Sequence, residues 1–292
     1  MYYCIVLLLF SLTNGNIFST SLGQCTMKIY DGKINDIPEL VNIIEKEANK
    51  LIYDFGLINP QPFSIYITNN LIDFKKLSGP IPEWGIAVAK MHPNRIIMQS
   101  PSTAKISYVR FKEVLIHELN HIYMFHMSKY GSIPSWFKEG MAMHSSGEFS
   151  LLHKIEISHS IWKNNLFSLR QLKNINIYNN KIQLAYGESA ASIDALIYYY
   201  GENVLFNIFT NLHQGKEFEP ALEIAINENL FDFQIKFERF LEENYYWVFL
   251  FKTRKYIYVI LPIILVLGFI YKNYKNKKIL KLWELEEELE NQ

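Results

Sequence analysis

The stretch "VLIHELNHIY", residues 114 to 123, constrains this chain most, because it sets His117, Glu118 and His121 inside an otherwise apolar run. Residues four apart share one face of an α-helix, so the spacing predicts a helix from which His117 and His121 project together on adjacent turns. Two imidazoles placed this way can bind one Zn2+ ion. Glu118, next to the first of them, can reach a water held by that ion without being a ligand, which is the position of a general base. Val114, Leu115, Ile116, Leu119 and Ile122 are then the apolar scaffold that holds the polar trio.

A catalytic zinc site needs three protein ligands and one open position. One known way of supplying the third places Gly and His three and six residues after the second histidine; Met124 and Met127 stand there, which excludes it. His126 lies about 140° around the helix from His121 and points away from the pair, as a helix-flank histidine. Glu139 is the better third ligand. It sits in "IPSWFKEGMAMH", which follows a turn between Gly131 and Pro134 and reads as a second helix returning antiparallel to the first. Its neighbours Trp136, Phe137, Gly140, Met141 and Ala142 are apolar or small, and a carboxylate buried among them needs a partner. The result is a two-histidine, one-glutamate metal site of His117, His121 and Glu139.

"VLIHELNHIYM" followed by "PSWFKEGMAMH" resembles the gluzincin zinc metallopeptidases, in particular the peptidase MA-like domain family, whose pattern is HExxH and then a Trp-Phe-x-Glu-Gly-x-Ala helix. "GIAVAKMHPNRIIM", "AYGESAASIDALIYYYG" and "ALEIAINENLFDFQIKFERFL" also fit it. The resemblance implies zinc as cofactor, a peptide or protein substrate, and hydrolysis by a metal-activated water with Glu118 as base. It also implies a donor to the developing oxyanion, for which Tyr186 is the candidate and His144 the second choice. In such a fold the strand containing Gly85 to Ala89 would be the sheet edge that holds an extended peptide. No Gly-x-Met-Glu-Asn motif for anchoring an N-terminal amine is present, which leans toward an endopeptidase. Glu188 and Asp194 are candidates to brace the zinc imidazoles. The alternative is a catalytically inactive protein that uses the peptidase fold to bind a peptide or protein partner. A purely structural site would need a fourth ligand from His126 or His144, with no cysteine near.

The rest of the pattern reads as α+β. Ile37 to Gly56 has helical apolar spacing, Pro62 to Thr68 alternates as a strand, and Ile86 to Ala89 and Asn94 to Ser100 form two more strands. From Tyr108 onward nearly every segment is helical in pattern, so a small N-terminal sheet with helices precedes a mainly helical half, with the zinc-site helix between them. At 292 residues and 49% hydrophobic content the chain can bury a sizeable core. Its 29 basic and 29 acidic residues leave no basic footprint, so nucleic acid is excluded as a partner. Two cysteines, one of them in the leading apolar run, give no internal disulfide framework.

Both ends carry apolar runs. Residues 1–15, "MYYCIVLLLFSLTNG", read as a signal peptide. "YIYVILPIILVLGFIY", residues 256–271, is uncharged and spans roughly 24 Å as a helix; with flanking lysines to snorkel, it reads as a transmembrane helix. Lys272, Lys275, Lys277, Lys278 and Lys281 beyond it orient a single-pass membrane protein, with a peptidase domain over 26–250 outside the cytoplasm and a charged tail over 272–292 inside.

Overall fold

The computed structural model describes residues 15–30, 37–56, 59–80, 85–127, 133–249 and 254–290. Strands β1 (Gly15–Thr20) and β2 (Gly23–Tyr30) open the chain as an antiparallel pair, with Phe18 opposite Cys25. Helix α1 (Ile37–Phe55) follows, burying Leu40, Ile44, Ala48, Leu51 and Phe55 along one stripe. It leads into β3 (Phe63–Thr68), which pairs parallel to β2. Helix α2 (Leu71–Ser78) is capped at its start by the Asn70 side chain, which accepts the Asp73 N–H at 2.8 Å. Strands β4 (Ala87–Met91) and β5 (Asn94–Gln99) form a second antiparallel pair, and β5 runs parallel to β3.

The sheet order is β1-β2-β3-β5-β4, so β4 lies at an edge. Side chains alternate across the pleat: Cys25 and Met27, Phe63, Ile65 and Ile67, and Ile96 and Met98 are all buried in the core. Gly15–Tyr30 was not read as sheet in the sequence. Residues 1–14, most of the expected signal peptide, lie outside the described residues.

After the one-turn helix α3 (Pro101–Ala104), α4 (Tyr108–Met127) carries the HExxH segment between the sheet and the helices that follow. Its burial explains that position: Phe111, Leu115, Leu119, Ile122 and Tyr123 are core residues, and the Tyr123 hydroxyl donates to the Gly56 carbonyl at 3.1 Å, tying α4 to the end of α1. The β4–β5 turn meets the far end of α4, where the His92 and Phe125 rings stand 5.3 Å apart and Asn94 bonds His126 at 3.1 Å.

The helical half comprises α5 (Ser135–Ser146), α6 (Leu151–Trp162), α7 (Ile182–Tyr200), α8 (Asn203–His213), α9 (Phe218–Ile226) and α10 (Leu230–Tyr245). Trp136 and Phe137 at the start of α5 are buried against Phe218, with Phe209 and Phe233 completing an aromatic cluster. Each large side chain buried there contributes about 1.5–3 kcal/mol. Helices α5 and α7 cross at Gly140, whose missing side chain admits the Ser189 carbonyl. The α+β reading of the sequence therefore describes this part of the molecule.

The expected transmembrane helix is corrected. Residues 256–271 fall within α11 (Arg254–Glu290), but among the described residues no helix is long and apolar enough to cross a membrane. Crossing takes roughly 20 predominantly apolar residues. Here the uncharged run ends at Tyr271, and Lys272, Lys275, Lys277 and Lys278 occupy the next two turns. The single-pass membrane localisation, with the domain outside the cytoplasm and the tail inside, falls with it.

Candidate metal centre

The polar trio on α4 faces α5, α7 and the turn after α5. His117 and His121 project as adjacent rings, with centroids 4.9 Å apart and planes at 79°. Glu139, delivered by α5, places one oxygen, Oε2, 3.3 Å from His117 Nε2 and 3.5 Å from His121 Nε2. The three side chains retain only 13%, 14% and 19% of their exposure, so they form a shallow, mostly enclosed cluster. Among the described residues, this is the group of three His, Cys, Asp or Glu ligand atoms close enough to share one ion, all lying within 4.8 Å of one another.

The electrostatics follow from burial and proximity. Burial opposes ionisation of Glu139, but the His121 charge and bonds from both imidazoles outweigh it and hold the carboxyl well below its ordinary range. Burial likewise disfavours charge on His117, yet its bonds to Glu139 and Glu148 raise it well above the usual imidazole value. Glu118 goes the other way. It is buried, and desolvation, reinforced by Glu139 and Glu148, raises its carboxyl despite the nearby histidines. A carboxylate raised in this way is a stronger proton acceptor than an ordinary one.

Tyr186, on α7, is half-buried and lies near enough to Glu139, Glu118 and Glu148 to feel their charges. Burial chiefly, then the charges of Glu139, Glu118 and Glu148, push its phenol up, so it keeps its O–H through the neutral range. His144 does not join the cluster; its Nδ1 pairs with Asp194 at 3.0 Å on the exposed side of α5 and α7. Glu188 is fully buried, and its two oxygens accept the Phe167 N–H at 3.0 and 3.3 Å. Neither Glu188 nor Asp194 is therefore the brace for a zinc imidazole.

The carboxylate that does lie against His117 is Glu148, which the sequence reading missed. His117 Nδ1 donates to Glu148 Oε2 at 2.6 Å, and Arg110 Nη1 donates to Glu148 Oε1 at 2.7 Å. The signal lay in Gly147, which ends α5 in the left-handed region at φ 77° and turns the next residue back toward α4.

The model of the Peptidase MA superfamily matches residues 45–242. The chain belongs to the Peptidase MA superfamily. Zinc is the cofactor that this membership indicates. The donors of this peptidase MA protein suit it: a tetrahedral ion with bonds of roughly 2.0–2.2 Å keeps neighbouring ligand atoms about 3.3–3.6 Å apart, the spacing that Glu139 Oε2 keeps from both imidazoles. The fold is also similar to an M1 zinc metallopeptidase from Deinococcus radiodurans, at 15% identity and a TM-score of 0.43, covering 78% of this chain and 50% of that one. A mutant of that enzyme bound to a Tyr-Ser-Ala substrate gives 14% identity, a TM-score of 0.42 and the same coverage. The peptidase MA chain thus spans about half the length of these structures. Comparison with curated proteins gave no match.

Proposed function

We propose that this chain is a zinc-dependent peptidase in which His117, His121 and Glu139 hold the metal and Glu118 is the general base. The observation that carries the reading is the convergence of Glu139 Oε2 on both Nε2 atoms beside a buried Glu118. Zinc, when bound there, would polarise the peptide carbonyl and acidify a water. Glu118 takes the proton of the attacking water and passes it to the leaving nitrogen, so no covalent intermediate on the protein is needed. The Tyr186 hydroxyl, kept protonated by its surroundings, donates to the oxygen on which negative charge develops.

Strand β4, at the sheet edge, offers main-chain groups to an extended peptide. The residues entering it, Gly85 to Ala89, carry no carboxylate that could hold a substrate amine, which favours cleavage within a chain over removal of its first residue.

The test is zinc content and cleavage of a peptide library, followed by mass spectrometry, for the wild type and for Glu118→Gln. The variant should bind zinc as the wild type does and lose turnover. A wild type that binds zinc tightly and cleaves nothing would sink the peptidase reading while leaving the metal site, and would turn the reading to the alternative, an inactive member of the fold that binds a peptide or protein partner.

A further inference from the structure

Resting on that metal reading, we propose that Glu148, set in place by Arg110, is a positioning residue that fixes the His117 ring for metal binding. Both oxygens of Glu148 are committed, Oε2 to His117 Nδ1 and Oε1 to Arg110 Nη1, and its side chain is only 7% exposed. An imidazole that donates from Nδ1 carries its lone pair on Nε2, the tautomer a metal ligand needs. His117 Nε2 is the atom that faces Glu139.

The clamp is built from spacing. Arg110 and His117 are two turns apart on one face of α4, so a single carboxylate spans them. Arg110 is itself steadied by Glu113 Oε2 at 3.1 Å. The carboxylate arrives because Gly147 caps α5 in the left-handed conformation and the Glu148 N–H closes onto the Met143 carbonyl at 3.1 Å. Helix α5 thereby supplies Glu139 to the Nε2 side of His117, and the turn that ends it supplies Glu148 to the Nδ1 side.

The experiment measures zinc affinity of the full chain by competition with a chromophoric chelator for the wild type, Glu148→Gln, Arg110→Gln and the double variant. It adds the Nδ1–H resonance of His117 in zinc-loaded, 15N-histidine protein and the Tm of the metal-free form. Glu148→Gln should weaken zinc binding roughly 10–100-fold and shift that resonance. Arg110→Gln should weaken it less, and the double variant no more than Glu148→Gln alone. An Arg110–Glu148 pair that is merely structural would lower the metal-free Tm while leaving affinity and resonance unchanged, and that outcome overturns the proposal. Should Glu148→Gln fail to fold, Arg110→Gln decides alone, since Arg110 is 43% exposed and its loss leaves the core intact. A wild type that binds no zinc overturns the metal reading and this proposal together; zinc binding of equal strength in all forms overturns only this one.

Discussion

A Cβ added to Gly140 would stand 2.2 Å from the carbonyl oxygen of Ser189, so the two helices that frame the site touch backbone to backbone. Because the obstacle is main chain, Gly140→Ala cannot be absorbed by a rotamer change. It should cost at least about 1–3 kcal/mol in urea unfolding, and it should lower bound zinc, since Glu139 moves with its neighbour. A variant with unchanged unfolding midpoint and zinc content would refute this reading of the contact.

Glu139→Gln keeps the shape of the third donor and removes its charge. Zinc retention after dialysis should fall by more than the roughly 10–100-fold seen for residues that only brace a ligand. The metal-free protein should also lose stability at neutral pH, because the carboxylate that both imidazoles hold ionised is gone, and calorimetry of both forms separates that loss from the loss of metal.

Tyr186→Phe removes one hydroxyl. If that hydroxyl meets the developing oxyanion, kcat should fall about 10²–10³-fold with KM and zinc content unchanged. A rise in KM alone would place the tyrosine in substrate binding instead.

Glu188 predicts a pH dependence of stability. Desolvation raises its pKa well above the ordinary carboxyl value, in spite of the bond from the Phe167 N–H. A folded-state pKa above the unfolded one means that its contribution is fully present below about pH 4.3 and is lost as pH rises through the folded value. Glu188→Gln should therefore gain on the wild type as pH rises, by up to about 1.4 kcal/mol per unit between the two pKa values. Urea midpoints of metal-free protein from acid to neutral pH measure it; a constant difference would show that Glu188 does not titrate in this range.

What the sequence disclosed was what local periodicity controls. Apolar spacing delimited α1 and β3 nearly to the residue, and the four-residue step put His117 beside His121. The short return after α4 then brought Glu139 to them. Glu148 was hidden because its position depends on a left-handed turn at Gly147 rather than on any spacing along a helix. Of the two partners that order strand β2, β3 lies beyond an intervening helix and β1 overlaps the end of the run read as a signal peptide, and Cys25 looks like a lone thiol until the register seats it beside Phe63. The expected membrane span failed for a different reason: the flanking lysines were taken to snorkel and make up the missing length, and the apolar run between them is too short for that.

The side chains grouped at the candidate metal centre, from Arg110 to Tyr186, come from one uninterrupted portion of the chain, carried on α4, on α5 and the turn that ends it, and on α7. Such a portion is a portable unit. Changes before it, among the strands, or after it, in the outer helices, can alter the surface of the molecule without displacing the grouped side chains.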